Sequence, residues 1–158
     1  MVRENAGPGL TLRWILATLH LLGMAMSVAS ILARARALRG TLDGAGVRRV
    51  LAADNMWGIS FLVMLSTGLW RALGSLEKGT DYYLSQPTFH AKMGLLALIL
   101  ILEVWPMITL IRWRVSLGRG QSVDAARAPA FARISSIQAV LIVLMIFAAT
   151  AMARGIGF

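Results

Sequence analysis

Four long apolar runs, separated by polar stretches rich in arginine, organise this chain. The first spans Leu12 to Ala33 and is interrupted only by Arg13 and His20. The second runs from Met56 to Leu73, with Arg71 near its end. The third, Phe89 to Ile111, holds Lys92 and Glu103; the fourth, Ile134 to Ala153, holds no charge. Each is long enough to cross a hydrocarbon core of ~30 Å as a helix. A strand would leave its backbone groups unpaired in lipid, so helix is the expected conformation. The pattern predicts an all-α fold, an integral membrane four-helix bundle in one domain over residues 1–158. Its helices are expected at about 11–35, 54–74, 87–114 and 130–154.

Local signals refine this reading. Pro87 suits the first turn of the third helix. Pro106 predicts a kink that frees the carbonyl of Leu102. Pro129 falls at or before the start of the fourth helix. Leu42–Ala53 reads as a short amphipathic helix at the interface, leading into the second span. Ser116–Ala128 reads as a flexible linker. The first run exceeds the ~7–15 residues of a signal-peptide core, and Arg34, Arg36 and Arg39 follow it in place of a small-residue cleavage site. It is expected to be a retained helix.

Composition agrees. Of 158 residues, 58% are hydrophobic and 15% charged, against ~45–50% and ~25% in soluble domains. A water-soluble globule and a disordered chain are both excluded on this balance. The absence of cysteine excludes disulfides, thiolate metal sites, iron–sulfur clusters and covalent haem attachment. A net charge of +9 would suggest nucleic acid in a soluble protein. Here ten of the sixteen basic residues fall in two connections: Arg34, Arg36, Arg39, Arg48 and Arg49, then Arg112, Arg114, Arg119, Arg127 and Arg133. The positive-inside bias places both connections in the cytoplasm, which makes the topology N-out/C-out, with the loop Gly74–Gln86 also outside. Trp14, Trp70, Tyr82 and Tyr83 are then expected at the outer interface, and Trp57 and Trp113 at the inner one. Nucleic acid is not an expected partner; the lipid bilayer is.

Candidate chemistry rests on the few polar residues inside the runs, because ionisable groups in lipid are costly. His20 lies ~12 Å below the outer end of its helix. It is either a haem or metal ligand or a histidine bonded to a neighbouring helix. His90 and Lys92 open the third helix ~200° apart, so they do not face one pocket by periodicity alone. Both sit where a headgroup-level position is the alternative, and Lys92 can extend outward along its stem. Glu103 lies about three turns beyond Lys92 on the same face. Its readings are a proton relay or a partner of Arg112 or Arg114, the pairing being preferred. Gly23 with Ser27, Ala25 with Ala29, and Gly58 and Gly68 permit close helix contact. The nine methionines read as core filler rather than copper ligands. No Walker loop, GxSxG elbow, HExxH or paired carboxylates occur, which removes support for a hydrolase, kinase or nucleotide binder.

Three segments carry a family resemblance: Arg13-Trp14-Ile15-Leu16-Ala17-Thr18-Leu19-His20-Leu21-Leu22, Thr67-Gly68-Leu69-Trp70, and Phe89-His90-Ala91-Lys92-Met93-Gly94-Leu95-Leu96. They resemble a bacterial family of predicted four-helix membrane proteins with no assigned function (domain of unknown function 2214). More remotely they are similar to the haem-b membrane proteins that oxidise protoporphyrinogen IX. Copper-resistance membrane proteins of the same general architecture are a further relative. The resemblance implies a multi-pass protein of the bacterial inner (cytoplasmic) membrane. It implies haem b, with His20 as ligand, His90 as the histidine of the His-x-Lys motif, and Lys92 as a catalytic or propionate-binding residue. Where the oxidase family has a Tyr-His pair, this chain has Leu102-Glu103. Where it has Asn-Glu before a proline, this chain has Ala126-Arg127-Ala128-Pro129. The expected function is redox chemistry on a haem held between helices, with a tetrapyrrole or quinol substrate. The alternative is a non-enzymatic accessory or structural membrane protein without cofactor, acting as a homo-oligomer or in a larger membrane complex.

Overall fold

The computed structural model describes residues 8–73 and 85–154. They form four helices: α1, Pro8–Arg39; α2, Gly44–Leu73; α3, Pro87–Gly118; and α4, Ala128–Ala153. All four are long and apolar enough to cross a membrane. Tyr82, Tyr83 and most of the expected outward loop lie outside the described residues.

The helices are longer than their apolar runs. At ~1.5 Å per residue, the 32 residues of α1 and of α3 each reach ~48 Å, against a core of ~30 Å. The excess lies mainly at the arginine-rich end. Arg34, Arg36 and Arg39 belong to α1, Arg48 and Arg49 to α2, Arg112 and Arg114 to α3, and Arg133 to α4. Arg36, Arg39, Arg48 and Arg49 lie beyond the expected helix bounds and are nonetheless helical. Leu42–Ala53 is likewise not a separate interfacial element, since from Gly44 onward it is the first part of α2. Arginine is a good helix former, so polarity alone does not stop a helix that has already begun.

What stops each helix is local chemistry. The α1–α2 turn needs only residues 40–43, because Asp43 Oδ1 accepts the Gly46 amide at 2.7 Å and caps α2. A side chain at Gly46 would overlap the Thr41 carbonyl. Pro87 opens α3 as expected. α3 continues through the buried Pro106 to Gly118. It ends in a Schellman turn, with Gly120 NH on Leu117 O at 3.1 Å and Gln121 NH on Ser116 O at 2.9 Å. Gly120 supplies the left-handed conformation there, φ +70°. The expected linker is thus helix to residue 118 and a structured turn after it.

α1 is the central helix. It packs on α2 and α4, α4 packs on α3, and α2 and α3 barely touch. The buried stripe of α1 is His20, Met24, Ser27, Ile31, Arg34 and Leu38, alternating steps of four and three. That spacing keeps one face turned inward along a left-handed bundle.

The core is layered along the bundle. At the arginine-rich end, Leu38, Val50, Leu110, Trp113 and Phe131 bring all four helices together. Nearer the middle, Ile31, Trp57, Ile99 and Ile142 do the same. Beyond them sit Met24, Met64 and Met145, the filler role expected of methionine. Trp57 and Trp113 are in these cores, 4% and 3% exposed, and not at an inner lipid interface. Trp14 and Trp70, at the other end, are exposed. Much of the remaining large apolar surface is also exposed, including Ile101, Val104, Ile108 and Phe147. In lipid that exposure carries no hydrophobic penalty.

Candidate functional site

Two polar sites occupy opposite ends of α1. The larger is centred on Arg34, which is fully buried. Its Nη1 donates to Asp54 Oδ1 at 2.8 Å and to Glu103 Oε1 at 2.6 Å. Its Nη2 donates to Glu103 Oε2 at 2.7 Å and to Gln138 Oε1 at 3.0 Å. Its Nε donates to Ser135 Oγ at 3.1 Å. A guanidinium has five N–H donors, and all five are satisfied. Gln138 also donates from Nε2 to Glu103 Oε2 at 2.8 Å and to Ile99 O at 3.2 Å. Arg114 closes the cluster through Asp54 Oδ2.

Each partner stands on the inward stripe of its own helix. Arg34 comes from α1, Asp54 from α2, Glu103 and Arg114 from α3, and Ser135 and Gln138 from α4. Two positive and two negative charges cancel. The fork of Arg34 meets Glu103 with two parallel bonds, the geometry that makes Arg–carboxylate pairs strong. Glu103 therefore pairs with Arg34 and not with Arg112 or Arg114 as expected. The correction is geometric: Glu103 faces inward, and Arg34 projects from the helix diagonally opposite. Asp54 was not singled out by the sequence reading, although it is one of seven acidic residues in the chain.

The second site is His20, 6% exposed, in the other half of α1. Its Nδ1 lies 2.9 Å from Met64 O and 3.1 Å from Thr67 Oγ1 on α2. A carbonyl can only accept, so Nδ1 carries the proton and Nε2 is the basic nitrogen. Thr67 Oγ1 is 2.6 Å from Val63 O and donates to it, which frees its lone pairs to face the imidazole. Gly68 lies against the ring: a Cβ there would come within 2.9 Å of His20 Cε1. Gly23 performs the corresponding service on α1, where a Cβ would stand 3.1 Å from the Met64 amide nitrogen. The expected close contacts at Gly23 and Gly68 are thus present. Gly58 has nothing within 4 Å and makes no such contact.

His20, Ser27 and Arg34 are seven residues apart and all buried. They form a polar line down one face of α1. Ser27 Oγ has no hydrogen-bond partner among the described residues.

Among the described residues α1 and α3 do not pack directly on each other. His20 faces α2, while His90 is exposed in the first turn of α3 and Lys92 is half-buried two residues on. No group of three or more His, Cys, Asp or Glu residues able to hold a metal ion occurs among the described residues.

Comparison with known proteins places the chain in one family. A model of a predicted membrane protein family, DUF2214, matches residues 12–157. The chain belongs to that family. No curated protein and no solved structure matches it.

Proposed function

For this member of a predicted membrane protein family, we propose that function centres on His20. The protein is a multi-pass protein of the bacterial inner membrane with its arginine-rich end in the cytoplasm, and haem b is the group that His20 would ligate. One observation carries the reading: His20 is buried with Nδ1–H held by the Met64 carbonyl, which fixes the tautomer whose basic nitrogen is Nε2. A histidine whose second nitrogen is fixed in this way is the usual form of a metal-ligating histidine. Gly68 lets the α2 backbone lie against the ring and so helps fix its place. When bound, haem b supplies one-electron chemistry whose potential follows its axial ligands. The protein's own part is to hold the imidazole tautomer and to exclude water around it. Lys92 would pair with a carboxylate of the porphyrin or of a tetrapyrrole substrate, and His90 would serve as a second nitrogen donor at the same end. A quinol is the other electron donor that a bilayer protein of this kind would meet.

The test is spectroscopic. Protein purified in mild detergent is expected to show a Soret band and sharpened bands on dithionite reduction. His20→Ala is expected to abolish them. His20→Asn keeps an N–H for Met64 O but removes the ligating nitrogen, so it should lose haem while remaining folded. A colourless wild-type protein, even after haem addition, would overturn the reading.

A second reading is favoured by the Arg34 cluster. It is neutral, and every donor of Arg34 is used within the bundle. Such a centre suits a structural or accessory membrane protein without cofactor. That reading predicts no chromophore and co-purification with a larger complex.

A further inference from the structure

On the outer side of the α1–α2 hairpin, at the arginine-rich end, lies a groove of about 340 Å³. Ala33, Arg36, Ala37 and Gly40 form one wall, and Arg49 and Ala53 the other. Ala33, Arg36 and Ala37 are spaced at i, i+3 and i+4, so they occupy one face of α1, and Gly40 directly follows its last residue. Apart from the arginines, every lining residue is Ala or Gly. The groove exists because these side chains are too short to fill the space between two packed helices.

Its position along the bundle is fixed by its neighbours. Arg36 is two residues beyond the buried Arg34, and Ala53 directly precedes Asp54. On the membrane side, Leu32, Met56 and Ile59 are exposed apolar residues. On the other side stand Arg39 and Arg48, both exposed. The groove therefore crosses the boundary at which hydrocarbon gives way to headgroups. Arg36 and Arg49 are exposed, and neither makes an ion pair among the described residues. By contrast, Arg39 on the same helix is bonded to Ser136 Oγ at 2.7 Å.

Two exposed guanidinium groups above an alanine-floored slot form a site with a cationic top and an apolar base. We propose that this groove binds one anionic phospholipid, with its phosphate held between Arg36 and Arg49 and an acyl chain against Ala33 and Ala53. Arginine matches phosphate oxygens with paired N–H donors. Basic pockets between transmembrane helices are a recurring headgroup site. A zwitterionic lipid brings its own cation and gains little from two arginines. A soluble phosphate gains nothing from the apolar floor. The proposal is independent of any haem.

Native mass spectrometry of the full chain in detergent, titrated with phosphatidylglycerol or phosphatidylcholine, tests it. Wild-type protein should retain one phosphatidylglycerol per chain in preference to phosphatidylcholine. The double variant R36Q/R49Q should lose that preference by roughly tenfold or more. Both residues are exposed, so the bundle should remain intact. R112Q/R133Q removes the same charge from elsewhere at this end and should leave the preference unchanged. A33L fills the slot without altering charge and should also release the lipid. Equal losses in R36Q/R49Q and R112Q/R133Q would show diffuse attraction to the whole surface and overturn the site. So would retention of the lipid in A33L, or its displacement by inorganic phosphate.

Discussion

Arg34→Ala is expected to destroy the monodisperse, folded protein. The substitution leaves the carboxylates of Asp54 and Glu103 largely buried, with side chains 11% and 14% exposed. Among the described residues Glu103 then keeps Gln138, and Asp54 keeps Arg114. Removing one partner of a buried pair costs about 3–5 kcal/mol, because the remaining charge stays desolvated. Total stabilities of native proteins are about 5–15 kcal/mol, so this loss decides the outcome. A single neutral hydrogen bond between membrane helices is worth on average ~0.6 kcal/mol, so Ser135→Ala should be mild by comparison. Arg34→Lys should fall between, since an ammonium cannot reproduce the fork that spans Glu103 and reaches Asp54. Neutralising the orphaned acids should rescue much of the loss, so R34A/D54N/E103Q is expected to be more stable than R34A. Thermal unfolding in detergent, followed by helical circular dichroism and size exclusion, checks all four variants. An R34A protein as stable as wild type would show that the cluster does not hold the bundle together.

Gly68→Ala is expected to destabilise the protein, whereas Gly58→Ala should stabilise it. Both glycines are interior to α2, where alanine normally gains about 1 kcal/mol. Gly58 has nothing within 4 Å, so that gain should appear undiminished. At Gly68 the new methyl would meet His20 Cε1 at 2.9 Å and Nδ1 at 3.4 Å. The ring has little freedom to retreat, being tied to Met64 O at 2.9 Å. Overpacking of this kind costs roughly 1–3 kcal/mol, and the strained hydrogen bond adds about 1 kcal/mol more. The clash therefore exceeds the propensity gain. The coupling is specific to one pair, so H20A/G68A should be more stable than the two single effects sum to. Additive effects in that cycle would mean that the methyl is accommodated without moving the imidazole.

The four spans were legible because twenty apolar residues in a row have few other uses. Their far ends were not. Arginine marks the edge of the hydrocarbon without ending a helix, so charge located the interface and missed the continuation of α1 and α2 beyond it. The same clustering hid Arg34 among Arg36 and Arg39. A signal was present nonetheless: Arg34 is fourteen residues from His20, in register with Ser27, whereas Arg36 and Arg39 fall off that face. Asp54 carried a weaker signal, an acidic residue between Ala53 and Asn55 at the edge of an apolar run. Its partners come from other helices, and no spacing within one helix reveals them. His20 was legible as a lone imidazole in lipid. That it faces α2 and not α3 follows from the weak contact between α2 and α3 and from the central place of α1, which are properties of the packed bundle.

The distribution of charge within the Arg34 cluster also bears on how the chain is assembled. The α1–α2 hairpin contributes Arg34 and Asp54, already 2.8 Å apart. The α3–α4 hairpin contributes Glu103 and Arg114, with Gln138 bonded to Glu103. Each half thus carries no net charge in this cluster and a polar partner of its own. Packing of the halves adds partners across them, Arg34 gaining Glu103 and Asp54 gaining Arg114. A chain divided between α2 and α3, where the helices barely touch, should accordingly insert as two hairpins and reassemble around these charges.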